Sequence, residues 1–290
     1  RSSDLVDLQN WGYAEPAGTT MSLGGLRNNA NAIVISGGTI RVSGGTATSY
    51  DRGVTVNATG ATFEAATGAN WTMAAGAITN VYTGNPSLTF TGAGTGTMEK
   101  VFSGTGALTK SGTGTWSFSG ANTYTGATTI SAGTMAITGG GTLGNGSYAA
   151  GITNNSVLHV NSTANQTFSG VVSGTGTLVK SNSVTLTIRT NPTYTGDTTV
   201  NAGTLSLTSG SAWTVPHNII INGGTYNLGG GGRQVNMGAT PKTISFGVSG
   251  GTFNVNTANF YPSTNTGQTL VISTAGGSAV QANLIASAGI

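Results

Sequence analysis

The stretch Gly104–Gly140, GTGALTKSGTGTWSFSGANTYTGATTISAGTMAITGG, recurs at Gly174–Gly210 as GTGTLVKSNSVTLTIRTNPTYTGDTTVNAGTLSLTSG, with no gap, at an offset of 70 and with 18 of 37 positions identical. Mismatches keep size and polarity: Ile130 corresponds to Val200, Met135 to Leu205, Ile137 to Leu207 and Phe118 to Ile188. Inside each copy the apolar residues alternate with Thr or Ser, as in Trp116 and Phe118, Met135 and Ile137, or Leu205 and Leu207. Alternation of this kind, rich in β-branched residues and bounded by Gly and Asn, predicts short strands.

A Gly-Thr-hydrophobic phrase carries the pattern outward: Gly38-Thr39-Ile40, Gly133-Thr134-Met135, Gly176-Thr177-Leu178, Gly203-Thr204-Leu205, Gly224-Thr225-Tyr226 and Gly251-Thr252-Phe253. After Thr177 its threonines recur at Thr204, Thr225 and Thr252. A repeat of roughly this size, built of strand and turn, predicts a solenoid in which each coil buries its apolar face against the next. The offset of 70 between the blocks then reads as three coils. On that reading Leu108 and Leu178, or Tyr124 and Tyr194, share a column about 14 Å apart, at roughly 4.8 Å per rung.

Composition agrees. The 290 residues hold 49 Gly, are 37% hydrophobic, and only 6% charged and 7% aromatic. Gly, Thr and Asn in such numbers disfavour helix, while the regularly spaced aliphatic and β-branched residues disfavour disorder. The net charge of +3 comes from ten Lys and Arg spread from Arg1 to Lys242 against seven Asp and Glu, so no basic stripe is laid out for a nucleic acid. The absence of cysteine excludes disulfides, thiolate metal sites and a cysteine nucleophile. No apolar run reaches the roughly 18 residues a membrane span needs. The start at Arg1, with no leader-like segment, reads as a processed chain or a fragment.

The two blocks, with Leu-Thr-Lys-Ser-Gly, Asn-Thr-Tyr-Thr-Gly, Thr-Thr-Ile and Ala-Gly-Thr-Met as they stand in the first copy, closely resemble the passenger-associated repeats of bacterial autotransporters. That resemblance implies an all-β, single-stranded parallel β-helix, right-handed by family habit, and export to a bacterial surface or the medium. The family's C-terminal translocator barrel has no counterpart before Ile290. The predicted organisation is an N-terminal arm or cap at 1–23, a β-solenoid at 24–253, and C-terminal coils or a cap at 254–290.

Candidate chemistry is sparse. The carboxylates are Asp4, Asp7, Glu15, Asp51, Glu64, Glu99 and Asp197. Outside the arm, only Asp51 and Glu64 are close enough in sequence to weigh as a glycosidase-type pair, and a separation of about half a coil puts them on different faces. His159 reads as a strand residue and His217, after Pro216, as a turn residue. Neither has a neighbour suited to metal or base chemistry. Tyr124 and Tyr194 read either as turn packing or as sugar-stacking platforms. No catalytic, cofactor or metal residue is expected.

The functional expectation therefore rests on shape. A solenoid's ends present unpaired backbone groups, and pairing them with another copy head to tail gives a contact that propagates. This predicts a non-enzymatic, secreted structural protein forming a filament, sheath or layer. The assembly contacts would be Leu5, Val6, Leu8 and Trp11 of the arm, which adds a strand to its neighbour, and Leu270, Val271 and Ile272 at the other end. The alternative is a monomeric passenger acting as an adhesin towards surface glycans or host cells. A polysaccharide lyase or hydrolase is the third reading, carried by Asp51 and Glu64.

Overall fold

A computed structural model describes residues 5–8, 34–43, 48–50, 54–75, 80–208, 213–229, 234–236, 242–255, 259–261 and 271–274. Among these there is no α-helix. The chain forms two compact units, Arg1–Asn145 and Gly146–Ile290. Each is a parallel β-solenoid.

In the first unit one face stacks Thr39–Val42, Ala61–Ala65, Leu88–Thr91, Leu108–Lys110 and Thr128–Ile130, every neighbour parallel. A second face stacks Thr48–Tyr50, Asn70–Met73, Thr95–Met98, Thr115–Phe118 and Thr134–Gly139. A short third face holds Val34–Ile35, Thr55–Val56 and Val81–Tyr82. Leu88, Leu108 and Thr128 pair in series. One coil there advances the numbering by 20, the same step that the bond from the Phe102 amide to the Asn122 side chain spans.

The second unit repeats the scheme. Val157–Ser162, Thr177–Lys180, Thr198–Val200, Ile219–Ile221, Thr243–Phe246 and Val271–Thr274 form one face. Gln166–Phe168, Thr185–Ile188, Thr204–Leu207, Thr225–Leu228 and Thr252–Val255 form another. Val157 pairs with Thr177 and Leu178 with Thr198. The coil is a step of 20 there, as in the bond from the Thr190 hydroxyl to the Gly170 carbonyl, and lengthens to 21 from Thr198 to Ile219 and 25 from Ile219 to Ile244.

The strands correct the expected column: Leu108 and Leu178 belong to different sheets, as do Thr128 and Thr198, the partners of Tyr124 and Tyr194, so neither pair shares a column. The recurring threonines mix two kinds of spacing as well. Thr204, Thr225 and Thr252 pair in series, whereas Thr177 pairs with Val157 on the other face. A Gly-Thr-hydrophobic phrase marks the start of a strand on either face and does not count coils.

Side chains alternate inward and outward along each strand, as in the buried Trp116 and Phe118 between half-exposed Thr115 and Ser117. In the first unit the interior is aromatic: Phe63 stacks on Phe90 at 5.2 Å, and Trp116 meets Phe90 edge-on at 4.9 Å and Trp71 at 5.4 Å. Gly96 lies in register between the two tryptophans, where a Cβ would come within 2.4 Å of the Trp116 ring. Absence of a side chain there leaves room for both indoles. Gly133 and Gly203, at equivalent corners, hold φ of +65°, and a Cβ at either would fall 2.3–2.4 Å from a carbonyl of the preceding coil. Only glycine fits a corner so close to the chain below.

Of the expected end segments, Leu5–Leu8 is a strand pairing in parallel with Thr39–Val42 of the same chain, and Val271–Thr274, which includes Val271 and Ile272, pairs with Thr243–Phe246. Trp11 and Leu270 lie outside the described residues, as do the side chains of Leu5, Val6, Leu8, Val271 and Ile272.

Candidate functional site: repeat interiors and hydroxyl faces

The two sequence copies build the same interior. Tyr124 and Tyr194 are 0% and 1% exposed, and each hydroxyl lies 2.6 Å from a buried threonine hydroxyl, that of Thr128 or Thr198. This explains why a threonine occupies an inward strand position beside Leu108 or Leu178: it is the partner a buried phenol requires. Neither ring offers a face to solvent, so of the two expected readings packing holds and the sugar platform does not. Burial also raises the Tyr194 pKa, the Thr198 contact opposing.

Strand parity places Lys110 inward, in register between Phe90 and Ile130, and its counterpart Lys180 between Val160 and Val200. Both are fully buried. The Lys110 Nζ donates to the carbonyls of Ser111, Gly112 and Ala132 at 2.9, 2.8 and 3.0 Å. The Lys180 Nζ donates to those of Ser181, Asn182 and Ala202 at 2.6, 2.8 and 3.3 Å. Each ammonium thus satisfies two carbonyls of its own corner and one of the next coil, using all three of its protons. Burial pushes both pKa values down to about 8, so both are ammonium at neutral pH. They are coil-to-coil staples, with no electrophile or carboxylate among their contacts.

The tyrosines take their ring partners from opposite sides, Phe102 from the coil before Tyr124 and His217 from the coil after Tyr194. Tyr124 stacks on Phe102 at 4.7 Å and 26°, whereas Tyr194 stacks on His217 at 4.5 Å and 9°. His217 is fully buried, and neither ring nitrogen has a hydrogen-bond partner. Burial pushes its pKa down to about 3; the Tyr194 backbone opposes without meeting hydrogen-bond geometry, and the charge of Lys242 adds to the lowering. His159 is half-exposed, its Nε2 lying 3.0 Å from the Ser181 Oγ, and burial lowers its pKa too.

Outward positions carry columns of hydroxyls. On the first unit Thr39, Thr62, Thr89, Thr109 and Thr129 are in register on five successive strands, all half-exposed. On the second, Thr185, Thr204, Thr225 and Thr252 form a similar column. A neighbouring column in that unit is closed on itself: the Asn222 Nδ2 donates to the Asn201 Oδ1, and the Asn201 Nδ2 to the Ser181 Oγ, both at 3.2 Å.

The described carboxylates are engaged separately. Glu64 pairs with Arg41 at 3.5 Å, Glu99 accepts from the Ala75 amide at 2.9 Å, and Asp197 accepts from the Asn218 side chain at 2.9 Å. Asp51 lies outside the described residues. Among the described residues no group of three or more His, Cys, Asp or Glu could hold a metal ion, and no helix is long and apolar enough to cross a membrane. What this surface can do is bind: columns of hydroxyl and amide groups with few charges among them.

Comparison with known proteins agrees with this architecture. The passenger-associated-transport-repeat family matches residues 108–137 and 171–207, the strands that carry the staples and the tyrosine–threonine pairs. Over these segments the chain is similar to the passenger repeats of autotransporters. It is 36% identical over 116 residues to the adhesin BmaC autotransporter of Brucella suis biovar 1 (strain 1330). That match covers 40% of this chain, and the chain spans 3% of that relative's length. No solved structure matches significantly.

Proposed function

We propose that this chain is a non-enzymatic segment of an exported, outer-surface passenger of adhesin type, in which the solenoid is the scaffold and its outward columns are the contact surface. The repeat match and the adhesin relative support export and surface display. The observation that carries the contact role is the five-rung threonine column of the first unit, a regular, uncharged hydroxyl surface. Such a surface suits neutral polar partners such as surface glycans and gains little from long-range charge attraction.

The filament reading has less support. The arm expected to reach a neighbouring copy pairs with a strand of its own chain.

The test is adhesion of beads coated with the purified chain to cells and to a glycan array, with sedimentation measured in parallel. Binding by a monomer that survives about 0.5 M salt supports the proposal, because screening at that strength removes most surface charge attraction. Concentration-dependent polymers without adhesion would restore the filament reading.

A further inference from the structure

His217 is out of keeping with the rest of the interior. Val215, Ile219 and Tyr226 are buried in the same unit and the His217 ring stacks on buried Tyr194, yet unlike buried Lys180, which has three acceptors, this ionisable ring has two unpartnered nitrogens. The stack itself does not call for histidine. In the first unit a phenylalanine, Phe102 of the coil before, packs flat against the equivalent tyrosine, so an unionisable ring satisfies such a stack. A neutral imidazole is tolerated there at the cost of its hydrogen bonds; an imidazolium would be a buried charge with no counter-ion.

Among the described residues, the ionisable surroundings offer none. Lys242 is repulsive. Tyr194 and Tyr226 are both held neutral by burial, and the charge of Tyr194 would further disfavour ionisation of Tyr226. The Asp197 Oδ1 accepts from the Nδ2 of Asn218, the residue after His217, and Asp197 is not among the groups that act on the His217 ring.

We infer that His217 is an acid-sensitive latch in the second unit: neutral, it closes the coil against Tyr194, and protonation opens that coil locally. The sign follows from linkage. The ordinary value of 6.5 describes the opened chain and about 3 the closed one. Between these limits the open state binds the proton and the closed state does not, so stability is complete above about pH 6.5 and is lost as pH falls towards 3. The opening equilibrium rises about tenfold per pH unit across that window. For a protein displayed outside a cell, this couples the coil to acid surroundings. That consequence rests on the surface reading above, whereas the latch does not.

The experiment is amide hydrogen exchange on the full chain between pH 7.5 and 4.5, corrected for intrinsic rates, in wild type, His217→Phe and Asp197→Asn. Wild type should lose protection at Thr198–Val200 and Ile219–Ile221 by about 100-fold at pH 4.5, while Leu108–Lys110 and Thr128–Ile130 of the first unit hold theirs. His217→Phe should abolish the loss, and Asp197→Asn should retain it. Equal loss in His217→Phe, equal loss in both units, or no loss in wild type would each overturn the latch. Should His217→Phe fold poorly, NMR titration of the ring in wild type decides: neutral at pH 5 supports the latch, and protonated at pH 6 refutes it.

Discussion

Tyr124 and Tyr194 sit at matching places in two copies of one repeat, and both bring their hydroxyl to 2.6 Å from that of a buried threonine. One then packs on Phe102 and the other on His217. The shared part of this comparison shows what the repeat is for: phenol, threonine and buried lysine satisfy one another's polar groups or those of the corner backbone. The differing part is the side on which the tyrosine finds its ring partner, Phe102 in the coil before Tyr124 and His217 in the coil after Tyr194, and only the second partner is ionisable.

The largest expected effect tests the shared part. Lys110→Ala or Lys180→Ala strands three inward carbonyls and opens a cavity, and each should lower stability by on the order of 3 kcal/mol or more. Denaturant unfolding of the two variants should give matching losses; a loss confined to one copy would break the equivalence. Next comes Gly96→Ala, whose methyl runs into Trp116. Overpacking of this kind costs about 1–3 kcal/mol, seen as a lower thermal midpoint.

Tyr124→Phe and Tyr194→Phe sharpen the comparison further. Each removes the phenol that faces a buried threonine hydroxyl and should cost about 1–2 kcal/mol at pH 7.5. At pH 4.5 the loss from Tyr124→Phe should be unchanged, while the second unit is already weakened through His217. The smallest expected effect is Thr109→Val on the outward column, within about 0.5 kcal/mol for folding. In the adhesion assay the same variant should lower binding, because it removes one hydroxyl from inside the five-rung row. Unaltered adhesion would move the contact surface elsewhere.

Much of the fold was legible in the sequence because a solenoid writes its packing locally. Alternation in Thr115–Phe118 and Thr204–Leu207, and Gly133 or Gly203 at the corner before a strand, state strand, face and turn within a short stretch. Coil length was less legible, since the same phrase opens strands of different sheets and the coils run from 20 residues between Leu88 and Leu108 to 27 between Thr225 and Thr252. Lys110 could have been found: it shares parity with the buried Leu108, and a lysine at an inward position demands acceptors. His217 left no such trace. It follows Pro216 in a stretch that reads as a turn, and its burial depends on stacking with Tyr194 of the coil before. The hydroxyl columns need register, which no single strand contains.

The central claim is that successive coils lie directly above one another in parallel register. The chain has no cysteine, so engineered thiols report it cleanly. Thr89→Cys with Thr109→Cys puts two thiols on adjacent rungs about 5 Å apart, and Thr89→Cys with Thr129→Cys puts them two rungs and about 10 Å apart. With the shortest bifunctional thiol reagent, the account predicts rapid intramolecular cross-linking of the first pair and little of the second. Equal cross-linking of both pairs, or of neither, would contradict it.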